Sequence, residues 1–317
     1  MLIRFGYVAI ALNILDGSPN KTITYSNLIK IAEPKDRLGR LRKLTAINLE
    51  RLLRVLKYNK HNAIHVFRIT SKLIPLATHP VVEDWDYLKE FQKNFTELGA
   101  FIQKNNMRIS FHPDHFTLLN SPNDDIVNTS ITTLQYHTNI LNAMNLDSRS
   151  KLVLHVGGVY NDKISAIKRF AANYERLPSD IQSRIILEND DKNFTAKETL
   201  DLCNSLNIPM VIDIHHHTCC NNGESLSALW PKIMDTWQKN TPKIHFSSPK
   251  DVKNFRAHAD FIDSQEFYSF INQIKHYNLD FDVMLEAKQK DQALHQLMKD
   301  LQEKYSIKAI DATTIEI

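Results

Sequence analysis

KLVLHVGG, residues 151–158, carries the pattern that decides the fold: an apolar run too short for a helix, closed by a histidine and followed by two glycines. A run of this length bounded by turn residues reads as a buried strand. The same pattern recurs on either side of it, in RISFH at 108–112, RIILE at 184–188, MVID at 210–213, KIH at 243–245 and DVMLE at 282–286. Each run ends on a histidine or a carboxylate. The ligand-type residues His112, His155, Glu188, Asp213, His245 and Glu286 thus stand at strand ends, and His216 and His258 follow shortly after two of them.

Adding the apolar runs at 2–6 and 63–69 gives eight predicted strands, at 2–6, 63–69, 107–111, 151–154, 185–187, 210–212, 243–245 and 281–285. Segments of helical spacing separate them, for example Leu49, Leu52, Leu53, Leu56 and Leu88, Phe91, Phe95, Leu98, Ile102. Alternating strand and helix predicts parallel strands joined by crossover helices. In a (β/α)₈ TIM barrel every strand delivers its last residue to one shared rim, which explains the recurring ligand types as one metal cluster at the C-terminal rim. The expectation is a single barrel domain over residues 1–317, with residues 16–42 as a long loop on the active face. Gly157-Gly158 suits a close backbone approach or a plain turn.

Imidazole and carboxylate donors without thiolate suit divalent ions such as Zn²⁺, Mn²⁺ and Fe²⁺ with open coordination positions. Eight such residues exceed the needs of one ion, so two or three are expected, with Glu188 placed to bridge. One rim histidine or glutamate alone reads as a hydrogen-bonded surface residue; six of eight strands ending so do not, because buried polar groups require partners. Lys243 shares a strand face with His245 and points inward. A lysine among cations calls for neutralisation, through a lowered pKa or carboxylation, unless its stem reaches the other mouth of the barrel. Such a site suits phosphodiester hydrolysis, in which one ion activates water and others stabilise the attacking and leaving oxygens. It suits sugar isomerisation or epimerisation equally.

The 317 residues, 43% of them hydrophobic, carry a net charge of +3, too little to argue nucleic acid from the total. Residues 30–60 are different, with ten Lys or Arg against three acids. That run reads either as a solvated helix face or as a backbone contact for DNA. Three cysteines, Cys203, Cys219 and Cys220, support neither a disulfide framework nor a thiolate zinc site, and imply a reducing, cytoplasmic setting. No apolar run is long enough to cross a bilayer. Arg4 followed by FGYVAIALNIL resembles a short signal peptide, but no small-residue cleavage site follows and the segment reads as the first strand.

The runs IRFGYVAIALNILDGSPNKTITYSNL, FRITSKLIPLATHP, SFHPDHF, LVLHVGG, ILENDD, DIHHH, PKIHFSS and MLEAK together resemble the UV-damage endonucleases, notably the bacillus-type branch, over about residues 1–290. The resemblance implies a barrel nuclease related to the apurinic endonucleases. It would cut UV-damaged double-stranded DNA 5′ to photoproducts with a manganese-containing centre, leaving a 3′-hydroxyl and a 5′-phosphate. It implies one ion on His112, His155 and Glu188, a second among Glu188, Asp213, His245 and Glu286, and a third on His216 and His258. It further implies catalytic roles for His79 and Tyr7 near the phosphate, carboxylation of Lys243, and a monomer working without a membrane. His115 and Phe116 stand where the family carries a Gln-aromatic pair that probes the lesion; here the run is Asp114-His115-Phe116, so a histidine replaces the glutamine. Ala11 stands where some members have an asparagine. Competing readings are an apurinic-type endonuclease, a sugar isomerase or epimerase, and a metal-bearing damage binder without nuclease activity.

Overall fold

A computed structural model describes residues 1–317. Eight parallel strands form the barrel: β1 (Leu2–Val8), β2 (Val66–Arg68), β3 (Arg108–Phe111), β4 (Lys151–His155), β5 (Ile185–Glu188), β6 (Met210–Val211), β7 (Lys243–Phe246) and β8 (Phe281–Leu285). Neighbours pair in order from β1 to β6, and β8 pairs with both β7 and β1. One bridge, Asp213 with His245, joins β6 to β7, supported by the His245 amide donating to the Ile212 carbonyl at 2.9 Å. The expected (β/α)₈ barrel is therefore present, with its thinnest seam between β6 and β7.

Strand alternation divides the molecule into two cores. Outward residues such as Ile3, Phe5 and Tyr7 join the large cluster between sheet and helices. The barrel interior holds smaller apolar sets, Val153, Ile186, Val211 and Trp237, and Val8, Val66 and Met284. Toward the opposite mouth the fully buried Asp282 accepts hydrogen bonds from Arg4, at 2.7 and 2.9 Å, and from Arg108, at 2.6 Å. One carboxylate thus organises two guanidinium groups that would otherwise repel each other.

Some boundaries differ from the sequence expectation. Residues 16–42 are not all loop: helix α1 (Pro34–His61) begins inside them, with Pro34 at its first turn and a buried stripe of Leu41, Leu44, Leu52 and Val55. The second strand is shorter than 63–69, because Ala63 takes a positive φ of 53° where the chain leaves α1. An antiparallel hairpin, β9 (Lys308–Asp311) and β10 (Thr314–Glu316), went unpredicted; β10 pairs with Leu2–Arg4 of β1. No helix is long and apolar enough to cross a membrane.

Candidate metal centre

The aliphatic strand ends deliver their next residues to one rim. His155 and Glu188 close β4 and β5, His112 and Glu286 immediately follow β3 and β8, and His245 lies within β7. Asp213 ends its strand early because its side chain caps the short helix Ile214–Cys219, accepting from the His216 amide at 2.8 Å. That cap places His216 back over the rim. His258 lies farther along the loop after β7 and is returned by a bridge to Pro249.

Four imidazoles converge on one carboxylate. Glu188 lies 3.0 Å from His112 Nε2, 3.8 Å from His155 Nε2, 3.3 Å from His216 Nδ1 and 3.0 Å from His245 Nδ1. Glu286 adds a contact to His245 at 3.1 Å and one to His258 at 3.9 Å. Three groups of close ligand atoms result: His112, His155 and Glu188; Glu188, Asp213 and His216; Glu188, His245 and Glu286. Glu188 belongs to all three, as a bridging carboxylate must. The partition differs from the expected one, since Asp213 groups with His216 rather than with His245 and Glu286.

The donor chemistry fits cations. His112 Nδ1 lies 2.9 Å from the Pro113 carbonyl and donates to it. The opposite nitrogen then presents a lone pair to Glu188, and two acceptors at 3.0 Å attract only across a proton or a cation. Glu188 Oε1, Asp213 Oδ2, His155 Nδ1 and both His245 nitrogens are buried without hydrogen-bond partners, although His245 closely approaches two carboxylates. Burial would raise the Glu188 carboxyl, but His245, His155, His112 and His216 overcome it and hold it well below the usual range. For His216 burial works against protonation, yet Asp213, Glu188 and Glu286 push it up to about 11. No cysteine belongs to these groups, which leaves borderline-to-hard divalent ions as the chemical match.

Arg68, which the ligand pattern overlooked, closes β2 and donates from Nη1 to Glu286 Oε1, both side chains being largely buried. Its signal was that VFR also ends on a polar residue; only the type differed. Lys243 points inward as expected and is 2% exposed. Its Nζ donates to Ser110 Oγ at 3.0 Å across the barrel. Burial, then Arg108 and Arg68, hold its ammonium well below the ordinary lysine range, against Asp282 and Glu188.

Other expected residues lie elsewhere. Tyr7, near the C-terminal end of β1, belongs to none of the three groups: it points outward from the barrel, fully buried, with its hydroxyl donating to Asn59 of α1 at 2.6 Å. Gly6 takes the inward position, so strand alternation turns Tyr7 outward. His79 belongs to none of the three groups; its ring stacks on Tyr25 at 4.4 Å and its Nδ1 accepts from the Val81 amide. His115 and Phe116 stand exposed on the loop after β3, rings 4.1 Å apart, Phe116 at 71%. Gly157 has φ +113°, and a Cβ there would meet Asn120 Oδ1 at 2.3 Å, so this turn packs on protein. The basic run is thinner than its count suggests. Arg37 caps the Ile31 carbonyl, and Arg42, Arg51 and Arg54 pair with Glu90, Asp16 and Glu50.

Fold and rim together define a class: TIM-barrel proteins with a carboxylate-and-imidazole cluster at the C-terminal ends of the strands. A family model, UV-endonuclease UvdE, matches residues 3–317, and the chain belongs to that family. It is 43% identical to the UV DNA damage endonuclease of Bacillus mycoides (strain KBAB4) and 42% identical to that of Bacillus thuringiensis subsp. konkukian (strain 97-27), covering 100% of both chains in each case. The crystal structure of SacUVDE superposes with a TM-score of 0.85 at 33% identity, over 96% of this chain and 99% of the other. Endonuclease IV from Thermus thermophilus shares the fold alone, with a TM-score of 0.52 at 10% identity over 89% of this chain and 91% of the other.

Proposed function

We propose that this protein hydrolyses the phosphodiester bond 5′ to UV photoproducts in duplex DNA, leaving a 3′-hydroxyl and a 5′-phosphate. The observation that carries the reading is the sharing of Glu188 among three ligand groups beside an exposed aromatic pair, in a chain of the UV-endonuclease family. His112, His155, Asp213, His216, His245 and Glu286 would hold two or three Mn²⁺ ions around Glu188, with His258 beside Glu286. Such ions supply Lewis-acid activation of water and charge stabilisation on phosphate oxygens.

The protein's own side chains do the rest. Phe116 stacks in the gap left by the displaced lesion, whose poor pairing lowers the cost of extrusion. His115 donates to the opposing base in place of glutamine. His79 accepts at Nδ1, which leaves its Nε2–H free for a phosphate oxygen. Lys243, biased toward the neutral amine, attacks CO₂: an N–C bond forms as one C=O π bond opens onto oxygen, the nitrogen gives up a proton to solvent, and a carbamate replaces the amine beside Ser110. The new anion would offset the neighbouring guanidinium groups.

The test compares irradiated, unirradiated and depurinated plasmid with Mn²⁺ or with chelator. Nicking of irradiated plasmid alone, at ends that a polymerase extends, supports the reading. Equal nicking of irradiated and unirradiated plasmid refutes it, and a preference for depurinated plasmid moves the activity to the apurinic class.

A further inference from the structure

The loop after β7 carries a feature that the metal ligands do not explain. Its base is tied by the bridge from Pro249 to His258 and by the Lys250 amide donating to the Ala257 carbonyl at 2.6 Å. Its tip is ordered by Asp251, whose Oδ1 accepts from the amides of Lys253 at 2.9 Å and Asn254 at 2.8 Å. This scaffold holds Val252 out at 93% exposure, beyond even Phe116. A single exposed apolar residue is ordinary, but this one stands on a hydrogen-bonded tip with Lys250 and Lys253 on either side and the Asp251 carboxylate engaged by the loop's own amides. Arg256 reaches Asp191 at 3.6 Å, whereas Lys250 and Lys253 are exposed and unpaired.

β3 and β7 are four strands apart in an eight-stranded barrel, and the Lys243 to Ser110 hydrogen bond spans the interior between them. Their loops therefore stand on opposite sides of the ligand cluster, one presenting His115 and Phe116, the other Val252. A duplex laid over the rim meets both.

We propose that the Lys250–Lys253 tip is a second DNA-contacting wedge, Val252 pressing on base or sugar edges while Lys250 and Lys253 take phosphates. The proposal rests on the reading that the rim acts on duplex DNA. Its test uses the full chain, wild type, Val252→Ser, and the double variant Lys250→Gln/Lys253→Gln. Binding to an unirradiated duplex, measured between 50 and 200 mM salt, should show the slope of log K against log salt flattened by about 1.8 in the double variant, at ~0.9 per phosphate contact. On irradiated duplex, Val252→Ser should raise KM about fivefold with kcat unchanged, as expected for partial burial of one aliphatic side chain. Metal content should match wild type in both. An unchanged slope, or an unchanged KM, overturns the proposal while leaving the nuclease reading intact. A wild-type protein that binds no DNA refutes both.

Discussion

Replacing Arg68 by Met removes the cation that faces Glu286 at the end of β2. The side chains are 16% and 11% exposed, so water screens the pair poorly. Removing one partner of such a pair leaves an uncompensated buried charge, at a cost of ~3–5 kcal/mol. For a chain this large, at about 2 °C per kcal/mol, the metal-free variant should melt about 6–10 °C below wild type. Bound Mn²⁺ would change the balance, because an ion at Glu286 would supply the positive charge that Arg68 supplied. At an ion concentration of about 100 times the wild-type Kd, binding adds ~2.7 kcal/mol to wild type; the variant, with no guanidinium competing for the carboxylate, binds more tightly and gains more at the same concentration. Thermal unfolding in chelator and in saturating Mn²⁺ therefore should show a large gap in the first condition and a clearly smaller one in the second. An equal loss in both conditions refutes the idea that Arg68 occupies the charge position of an ion.

Glu188→Gln should reduce metal content across all three groups and lower nicking more than about 100-fold, beyond the usual effect of residues that only support a ligand; metal analysis and plasmid incision measure the two outcomes. Phe116→Ala should weaken discrimination between irradiated and intact duplex by about 5- to 150-fold, the equivalent of ~1–3 kcal/mol of stacking, in competition binding. Lys151, at the opposite mouth, is pushed down to about 8 by burial, Arg108 and Arg184, against an ordinary 10.5. Between those values the unfolded chain binds more protons, so stability should rise as pH climbs from about 8 to 10. Urea midpoints across that range should show the rise, and Lys151→Met should flatten it.

The rim was legible because one rule, that parallel strands present their C-terminal residues together, converts distant positions such as His112 and Glu286 into neighbours. The grouping of those residues was not legible. Whether His216 approaches Glu188 or stands with His258 depends on the cap that Asp213 makes, a matter of backbone angles rather than residue type. Tyr7 shows a different limit: motif position suggested the rim, while strand parity sets it against Asn59. Arg68 was not legible because it serves the rim as a counter-charge to Glu286, a role that strand-end ligand chemistry does not mark. The hairpin of β9 and β10 is short and half polar, and its pairing with β1 depends on a contact across nearly the whole chain.

The seam between β6 and β7 has a mechanical consequence. Asp213 and His245, the bridge that closes the barrel there, are both ligand-type residues of the rim cluster. Ions seated on them would act as rivets across the weakest joint of the hoop. Removing the ions should then loosen the two flanking segments before the rest of the barrel, appearing as faster amide exchange confined to Met210–Val211 and Lys243–Phe246.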